Sequence, residues 1–355
     1  MKFTISKSIL ENILINMQPF LEKKDTSQIT SHIYIESNNE NVTFKSTDHE
    51  IGLVIQTREV RIESDGKITA NGKKLLDMIR SLKNENVILE EENGILYILQ
   101  NRSKYELNTY NANEYPSFPN IEDKPKIEID STLLIQSLKK ITPAIDTNNP
   151  KYELNGALIN INENKIAFVS TDTRRLALVT VDNNSSDELS VIIPKKAILE
   201  IQKLFFNNIE IYYDKTYLII KNEQFFFFTK LINGNYPDYT RIIPKDINKK
   251  FKLPKSKIIE AIKQIMIVSS EIKITFLPNS IKFESMSKDG FVALTEIEHQ
   301  NDTEDEIILA VHNKYILDFL SQITTSDFEI LINKSNLPFM LKSEDFLTII
   351  MPISI

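Results

Sequence analysis

Three stretches of this chain begin alike, and that repetition limits its fold more than any local motif does. Phe3-Thr4-Ile5-Ser6-Lys7-Ser8-Ile9-Leu10 returns as Ile127-Glu128-Ile129-Asp130-Ser131-Thr132-Leu133-Leu134 and as Phe251-Lys252-Leu253-Pro254-Lys255-Ser256-Lys257-Ile258, each step 124 residues long. Self-similarity at a fixed long period decides the architecture first. Each opening alternates like a strand and then takes up helical spacing, with Ser6, Asp130 and Ser256 standing where N-caps are expected. The register continues inside the copies: Phe44-Lys45-Ser46-Thr47-Asp48 matches Phe168-Val169-Ser170-Thr171-Asp172, again 124 apart, and Phe283-Glu284-Ser285-Met286 answers somewhat early.

A second helical pattern recurs as Lys73 to Asp77, Lys196 to Glu200 and Lys314 to Asp318, so each copy holds two helices. Between them lie short β-branched and aromatic runs, such as His32 to Ile35, Asn86 to Leu89, Ile209 to Tyr213, Tyr217 to Ile220 and Glu329 to Ile332. Breaks this short leave no room for crossover helices, so the strands should pair antiparallel. The expected fold is α+β: three repeated domains, each two helices packed on antiparallel sheets. Boundaries are expected where the opening strand restarts, giving domains 1–124, 125–248 and 249–355.

Composition excludes more than it selects. With no cysteine, there is no thiolate nucleophile and no cysteine metal site, and His32, His49, His299 and His312 lack the spacing that puts two imidazoles on one ion. Seven glycines supply neither G-x-G-x-x-G nor G-x-x-x-x-G-K. No metal, cofactor or catalytic residue is expected. The apolar runs are far shorter than the roughly 20 residues that cross a bilayer, and the first residues alternate like a strand instead of forming a signal segment. The expectation is a cytoplasmic protein without a membrane partner.

A net charge of −7 argues against nucleic acid until its distribution is read. Segments 7–24, 72–84, 130–142, 195–204, 255–264 and 312–322, taken as helices, hold 16 basic against 7 acidic side chains, leaving the remainder strongly acidic. Lys73, Asp77, Arg80 and Asn84 line one helix face opposite Leu75, Ile79 and Leu82. Basic helices in an acidic protein suit weak, sequence-independent contact with phosphates. A hydrolase built on Asp48 and Asp172 is the enzyme alternative, but the two fall in different domains. The repeated Thr-Asp reads better as a strand turn whose side chains bond nearby backbone. A peptide-binding scaffold that ignores DNA is a further alternative.

Met1-Lys2-Phe3-Thr4, Leu154-Asn155-Gly156, Ser170-Thr171-Asp172-Thr173-Arg174-Arg175-Leu176-Ala177, Asn233-Gly234-Asn235-Tyr236-Pro237-Asp238-Tyr239 and Met351-Pro352 together resemble the bacterial sliding-clamp family, the beta subunit of DNA polymerase III. The resemblance runs along essentially the whole chain. It implies a non-catalytic head-to-tail homodimer whose ring encircles duplex DNA and tethers partners. These would be the polymerase alpha subunit, the clamp loader and repair proteins, each docking a short linear motif with a glutamine and an aliphatic–aromatic pair.

Carried over residue by residue, the docking positions are Leu154, Thr171, Thr173, Arg174, Arg175, Leu176, Pro237, Arg241, Ile242, Ile349, Met351, Pro352 and Ile353. DNA contacts carry over to Lys24, Lys73, Arg80, Asn148, Lys151 and Tyr152. The subunit contact carries over to Arg102, Lys104, Tyr105 and Leu107 meeting Ile267 and Val268, with Glu296 and Glu298 nearby. This chain departs from the family pattern at Thr173-Arg174, where glycine or serine followed by histidine is usual, and at the Ile353-Ser354-Ile355 tail.

Overall fold

The computed structural model describes residues 1–355 except 26, 128, 184–187, 207, 246, 287–291 and 355, so Glu128 of the second opening and Ile355 of the tail lie outside the described residues. The first copy runs β1 (Lys2–Ser6), α1 (Lys7–Met17), β2 (His32–Asn38), β3 (Asn41–Thr47), β4 (Ile51–Thr57), β5 (Val60–Ser64), β6 (Gly66–Asn71), α2 (Gly72–Ser81), β7 (Asn86–Glu92), β8 (Ile95–Gln100) and β9 (Ser103–Asn108). The second runs β10 (Lys126–Ile127), α3 (Ser131–Ile141), β11 (Gly156–Ile161), β12 (Lys165–Thr171), β13 (Arg175–Asp182), β14 (Leu189–Pro194), α4 (Lys195–Leu204), β15 (Glu210–Tyr213), β16 (Tyr217–Lys221) and β17 (Phe225–Lys230). The third runs β18 (Lys249–Pro254), α5 (Lys255–Met266), β19 (Glu271–Phe276), β20 (Ser280–Ser285), β21 (Leu294–Glu298), β22 (Ile307–His312), α6 (Asn313–Gln322), β23 (Asp327–Ile332), β24 (Phe339–Ser343) and β25 (Phe346–Ile350). Among the described residues, only the first copy has a strand, β5, beyond the shared plan.

Two compact units emerge, Met1–Ser131 with Lys203–Leu231 and Thr132–Gln202 with Ile232–Ile355. They cut through the middle copy, because its strands are shared between two sheets. In the first unit the order β10-β15-β16-β17-β4-β3-β2-β6 joins middle to first copy, and β5-β1-β7-β8-β9 forms a separate sheet. In the second, β14-β11-β12-β13-β25-β24-β23-β18 joins middle to third copy, beside β21-β20-β19-β22. All these pairs are antiparallel. The joints are equivalent in the repeat: β17 pairs β4 with Phe228 opposite Gly52, and β25 pairs β13 with Ile349 opposite Leu176. At Gly52 a Cβ would lie 2.2 Å from the Phe228 ring, so a side chain there would force that ring out of the joint.

The helices form for the reason their spacing suggests, burying one stripe each: Leu10, Ile13, Leu14 and Met17 of α1, and Ile258, Ala261, Ile262 and Ile265 of α5. Each such Leu or Ile contributes about 1.5–3 kcal/mol by leaving water. Their first turns are satisfied differently from expectation. The amide of Lys7 donates to the Glu85 carbonyl (3.1 Å), that of Lys255 to Ser326 (2.9 Å) and that of Asn313 to Ser270 (2.9 Å). Each acceptor immediately precedes the strand paired with the one that feeds the helix. Ser6 accordingly makes no cap bond and meets Ser8 Oγ instead, while Ser256 lies inside α5 and Pro254 holds the cap position. Asn71 is a true side-chain cap, accepting from the Lys74 amide at 3.0 Å. The first helix stops at Met17, short of the expected 24, because Pro19 lacks the amide that would extend it and a 3₁₀ turn, Gln18–Phe20, follows.

Candidate functional site

The repeated Ser-Thr-Asp builds the same turn twice. Thr171 Oγ1 donates to the Arg175 carbonyl (2.6 Å) and accepts from the Thr173 amide (3.1 Å), as Thr47 does with Ile51 (2.8 Å) and His49 (3.0 Å). Asp172 Oδ1 accepts from the amides of Arg174 and Arg175, and Asp48 Oδ1 from those of Glu50 and Ile51. Below them Ser170 Oγ donates to the Ile141 carbonyl at the end of α3, and Ser46 Oγ to that of Met17 at the end of α1. Both aspartates thus serve a strand turn, as the structural reading required. In the third copy Ser285 is not equivalent, since its hydroxyl accepts from the Ala293 amide. Thr173 and His49 pay for the turn with positive φ, 71° and 73°.

Around the second turn the proposed docking residues gather in one unit. Leu176 of β13 and Ile349 of β25 are each 2% exposed and belong to one apolar cluster with Leu158, Ala167, Val169, Leu178, Ile192, Ile232 and Met340. Tyr236, Tyr239, Ile243 and Ile247 of the following linker pack over it. Tyr236-Pro237 repeats the Tyr115-Pro116 that closes the first copy, but nothing in the sequence marks Met340 or Ile247 as part of this face. Leu154 is buried, whereas Thr173, Arg174, Pro237 and Arg241 are exposed and Thr171, Pro352 and Ile353 are half-buried. Ile242 and Met351 are both 43% exposed, unusual for apolar side chains beside an apolar cluster.

Arg175 departs from this pattern. Its side chain is 4% exposed, bonded through Nε to Asp172 (3.0 Å), through Nη1 to Asp318 of α6 (2.7 Å) and through Nη2 to the Pro143 carbonyl, with the guanidinium 4.6 Å from the Tyr315 ring centroid. Three of its five N–H donors are thus engaged inside the protein, and these bonds hold the turn in place. Strand alternation explains the placement: Leu176 faces the cluster, hence Arg175 faces the helix.

The two tyrosines of the repeated Tyr-Pro differ in a useful way. Tyr115 Oη donates to the carbonyls of His32 (3.0 Å) and Lys45 (3.2 Å). Among the described residues the buried Tyr236 hydroxyl has no acceptor in bonding geometry, and burial raises its pKa above the ordinary phenol value.

The residues carried over for DNA are all exposed. Lys73 and Arg80 share the outer face of α2, where Arg80 Nε is 3.5 Å from Glu11. Lys24 follows the turn after α1. In the second unit Asn148, Lys151 and Tyr152, the last 60% exposed, occupy a loop knitted by amides: Asn155 accepts from the Asn149 amide (2.8 Å) and donates to its carbonyl (3.0 Å). Asp146 closes the loop's start, and the Asn149 side-chain amide, then the Thr147 backbone, hold its carboxyl below the usual range. Just past this loop, a Cβ on Gly156 would meet the Ile193 carbonyl at 2.6 Å, which explains glycine in Leu154-Asn155-Gly156.

Of the residues carried over for the subunit contact, Arg102, Lys104 and Ile267 are exposed, Tyr105 and Val268 half-buried, and Leu107 buried at 6% exposure, so Leu107 supports its strand from within. Tyr105 Oη and Ser81 Oγ lie 3.0 Å apart. Among the described residues no cluster of histidine, aspartate and glutamate fits a metal ion, and no helix is long and apolar enough to cross a membrane.

Comparison with known proteins agrees along the chain. Models of the DNA polymerase III beta subunit match its N-terminal domain to residues 1–119, its central domain to 128–238 and its C-terminal domain to 240–354. The beta sliding clamp of Helicobacter pylori is 39% identical over 351 residues, covering 96% of this chain and 94% of the relative. That of Bacillus subtilis is 26% identical, covering 99% and 98%. Among solved structures, the Helicobacter pylori beta clamp bound to a DNA ligase peptide superposes with a TM-score of 0.95 at 39% identity over the whole of both chains. The Pseudomonas aeruginosa DNA polymerase III beta subunit, at 24% identity and a TM-score of 0.92, shares the fold. With three clamp domains matched in order and no catalytic constellation needed to account for its motifs, the chain belongs to the DNA polymerase III beta-subunit family, the beta sliding clamps, which act in DNA replication as processivity factors without catalysis of their own.

Proposed function

We propose that this chain closes into a head-to-tail homodimer around duplex DNA and offers partners a groove on each subunit. The observation that carries the reading is a pair of free strand edges at repeat-equivalent places. Inside the chain, the last strand of one copy twice pairs with the fourth strand of the copy before it, β17 with β4 and β25 with β13. By the same rule, among the described residues β9, an edge of its sheet, lacks a mate, and so does β21, an edge of another. Joined between two chains they would give β1-β7-β8-β9-β21-β20-β19-β22, the strand order of the two eight-stranded sheets, with β5 as an additional ninth strand beside β1. The flanking charges are complementary: Arg102 and Lys104 on one side, Glu296 and Glu298 on the other. Leu294, 62% exposed, and Ile267, 87% exposed, supply apolar surface near the third-copy edge.

Division at 124 and 248 is the domain reading consistent with this rule. Lys24, Lys73, Arg80, Asn148, Lys151 and Tyr152 are assigned to phosphate contact, which needs exposure and charge but no base recognition. Leu154, Thr171, Thr173, Arg174, Leu176, Pro237, Arg241, Ile242, Ile349, Met351, Pro352 and Ile353 form the docking groove, with Arg175 behind it. The ligase peptide carried by the Helicobacter pylori clamp supports a linear-motif occupant, and polymerase alpha subunit, clamp loader and repair proteins are the expected sources. Residence with the nucleoid in the cytoplasm follows from that role.

The test is topological. Clamp loaded on nicked circular DNA should be retained and should leave after linearisation, and equal retention on both forms would reduce the interaction to ordinary surface binding. Lys73→Ala with Arg80→Ala should weaken loading on all sequences alike.

A further inference from the structure

We propose that the chain has a second binding cleft, over Val54 and Phe226 at the joint of β4 and β17, which takes an extended segment of a protein partner carrying a bulky aliphatic side chain next to an acid. The repeat shows why this place is open. In each unit a cross-strand row crosses the sheet: Leu158, Val169, Leu178, Leu347 and Lys342 in the second, Tyr34, Lys45, Val54, Phe226 and Lys221 in the first. Phe227 is fully buried and meets Phe20, in the turn that follows α1, so Phe226 and its row face away from the helices. The chain itself covers the second row, since Tyr239, Ile243 and Ile247 pack on the cluster that holds Leu158, Val169 and Leu178. The linker in the first unit is shorter, 12 positions from Tyr115 to Ile127 against 15 from Tyr236 to Phe251. It is drawn aside at Lys124, which pairs with Asp214. Of this linker Phe118 and Pro119 line the face, and between them and the hairpin joining β16 to β17 lies a cleft of about 480 Å³.

The cleft is not a copy of the docking groove. The floor pair Leu176 and Ile349 corresponds to Gly52 and Phe228, and there the Phe228 ring lies against Gly52, with Phe118 at 5.0 Å and Tyr217 at 5.7 Å between ring centroids. That end is closed, and the open part lies one pair further along the strands. Val54, Phe226, Phe118 and Pro119 are half-buried and give it an apolar floor and wall, as the second unit has beneath its isoleucines. The charges differ between the two rows at one place. Lys45 stands where the second unit has Val169, its ammonium 5.0 Å from the Tyr34 ring centroid, and among the described residues it makes no ion pair. The other charged groups at the cleft are engaged or at its rim. Lys221 holds Glu210 at 2.8 Å, Glu36 sits by the Tyr34 phenol, whose pKa burial and then this carboxylate push up to about 12, and Glu223 is exposed in the hairpin turn. An aliphatic side chain seated on Val54 and Phe226 does for the first unit what the linker isoleucines do for the second, and an acid beside it meets Lys45, directly opposite Val54 on β3.

Fluorescence anisotropy with the full-length protein tests the assignment. The probes are labelled serine- and glycine-based peptides with one isoleucine and, before or after it, glutamate, glutamine or lysine. In one of the two orders the glutamate form should bind about two- to fivefold more tightly than the glutamine form at about 50 mM salt, the range of an exposed charge pair. The preference should shrink at about 500 mM salt. Lys45→Gln should erase it and leave the glutamine peptides' affinity unchanged. Val54→Gln, which lays a polar side chain over the floor, should weaken every isoleucine peptide by about fivefold or more, with the circular dichroism of both variants as in the unaltered protein. Removal of residues 351–355 should leave binding as it was. Equal binding by peptides with alanine for isoleucine, a glutamate preference that survives Lys45→Gln, or no binding by any peptide would overturn the proposal. So would loss of binding on removal of residues 351–355, which would place the peptides in the docking groove, or N-acetylisoleucine matching their affinity, which would make the cleft a small-molecule site.

Discussion

Thr173 holds a conformation that its side chain resists. At φ 71° a β-branched residue costs about 1–2 kcal/mol relative to extended backbone, and glycine would return part of this as unfolded-state entropy. Thr173→Gly should therefore raise stability by about 0.5–1 kcal/mol in urea unfolding, and a loss would mean the Thr173 side chain holds the turn. The tyrosine pair makes a sharper comparison. Tyr115→Phe removes a hydroxyl that serves two carbonyls and should cost about 1–2 kcal/mol, while Tyr236→Phe removes a buried hydroxyl without an acceptor and should be neutral or stabilising. Equal losses would show that Tyr236 has a partner in solution. The Tyr-Pro repeat was visible in the sequence, but which hydroxyl is satisfied depends on carbonyls far along the chain, at residues 32 and 45 for Tyr115, and no local pattern encodes them.

At the level of elements, the turn Thr171–Arg175 and helix α6 meet through Arg175, a structural tie that the family resemblance alone does not describe. Position-by-position transfer makes Arg175 a docking residue, whereas the period of two in Arg175-Leu176-Ala177-Leu178 already sends it to the opposite face from Leu176. Its bonds to Asp172 and Asp318 make it the tie between the middle copy's turn and the third copy's helix. Removing the cation leaves two carboxylates facing one another, so Arg175→Met should destabilise the protein by about 3 kcal/mol in denaturant. It should also weaken peptide binding, with much of the stability recovered in the double variant with Asp318→Asn. Stability unchanged in the single variant would deny the tie. The same contrast holds for the helices. Their stripes and approximate bounds follow from spacing, but their starts rest on the carbonyls of Glu85, Ser326 and Ser270, tertiary partners that made the serine caps at 6 and 256 unnecessary.

For the whole molecule, the repeat of 124 was legible from three opening strands, yet the sharing of the middle copy between two sheets was not, because edge pairing such as β17 with β4 joins residues 170 or more positions apart. That sharing is what makes the free edges β9 and β21 informative. An unpaired edge in a native protein is ordinarily blunted by charge or cover. Here one edge carries Arg102 and Lys104, the latter also paired with Glu106 of the same strand, and the other Glu296 and Glu298 after an exposed Leu294, charges that favour the opposite edge over a like copy. Sedimentation at micromolar concentration should therefore give about twice the 41.0 kDa chain mass. Leu294→Lys places a cation at the first residue of β21, on the edge meant for the strand with Arg102 and Lys104, and should yield a monomer. Its circular dichroism and its affinity for a groove peptide should stay as before, since that side chain is exposed and the groove is built on the other sheet of its unit. Reversing both sides, Lys104→Glu with Glu296→Lys, should associate more tightly than either reversal alone, because the signs again match head to tail. A dimer that survives Leu294→Lys with undiminished affinity would place the subunit contact elsewhere and remove the pairing rule drawn from the repeat.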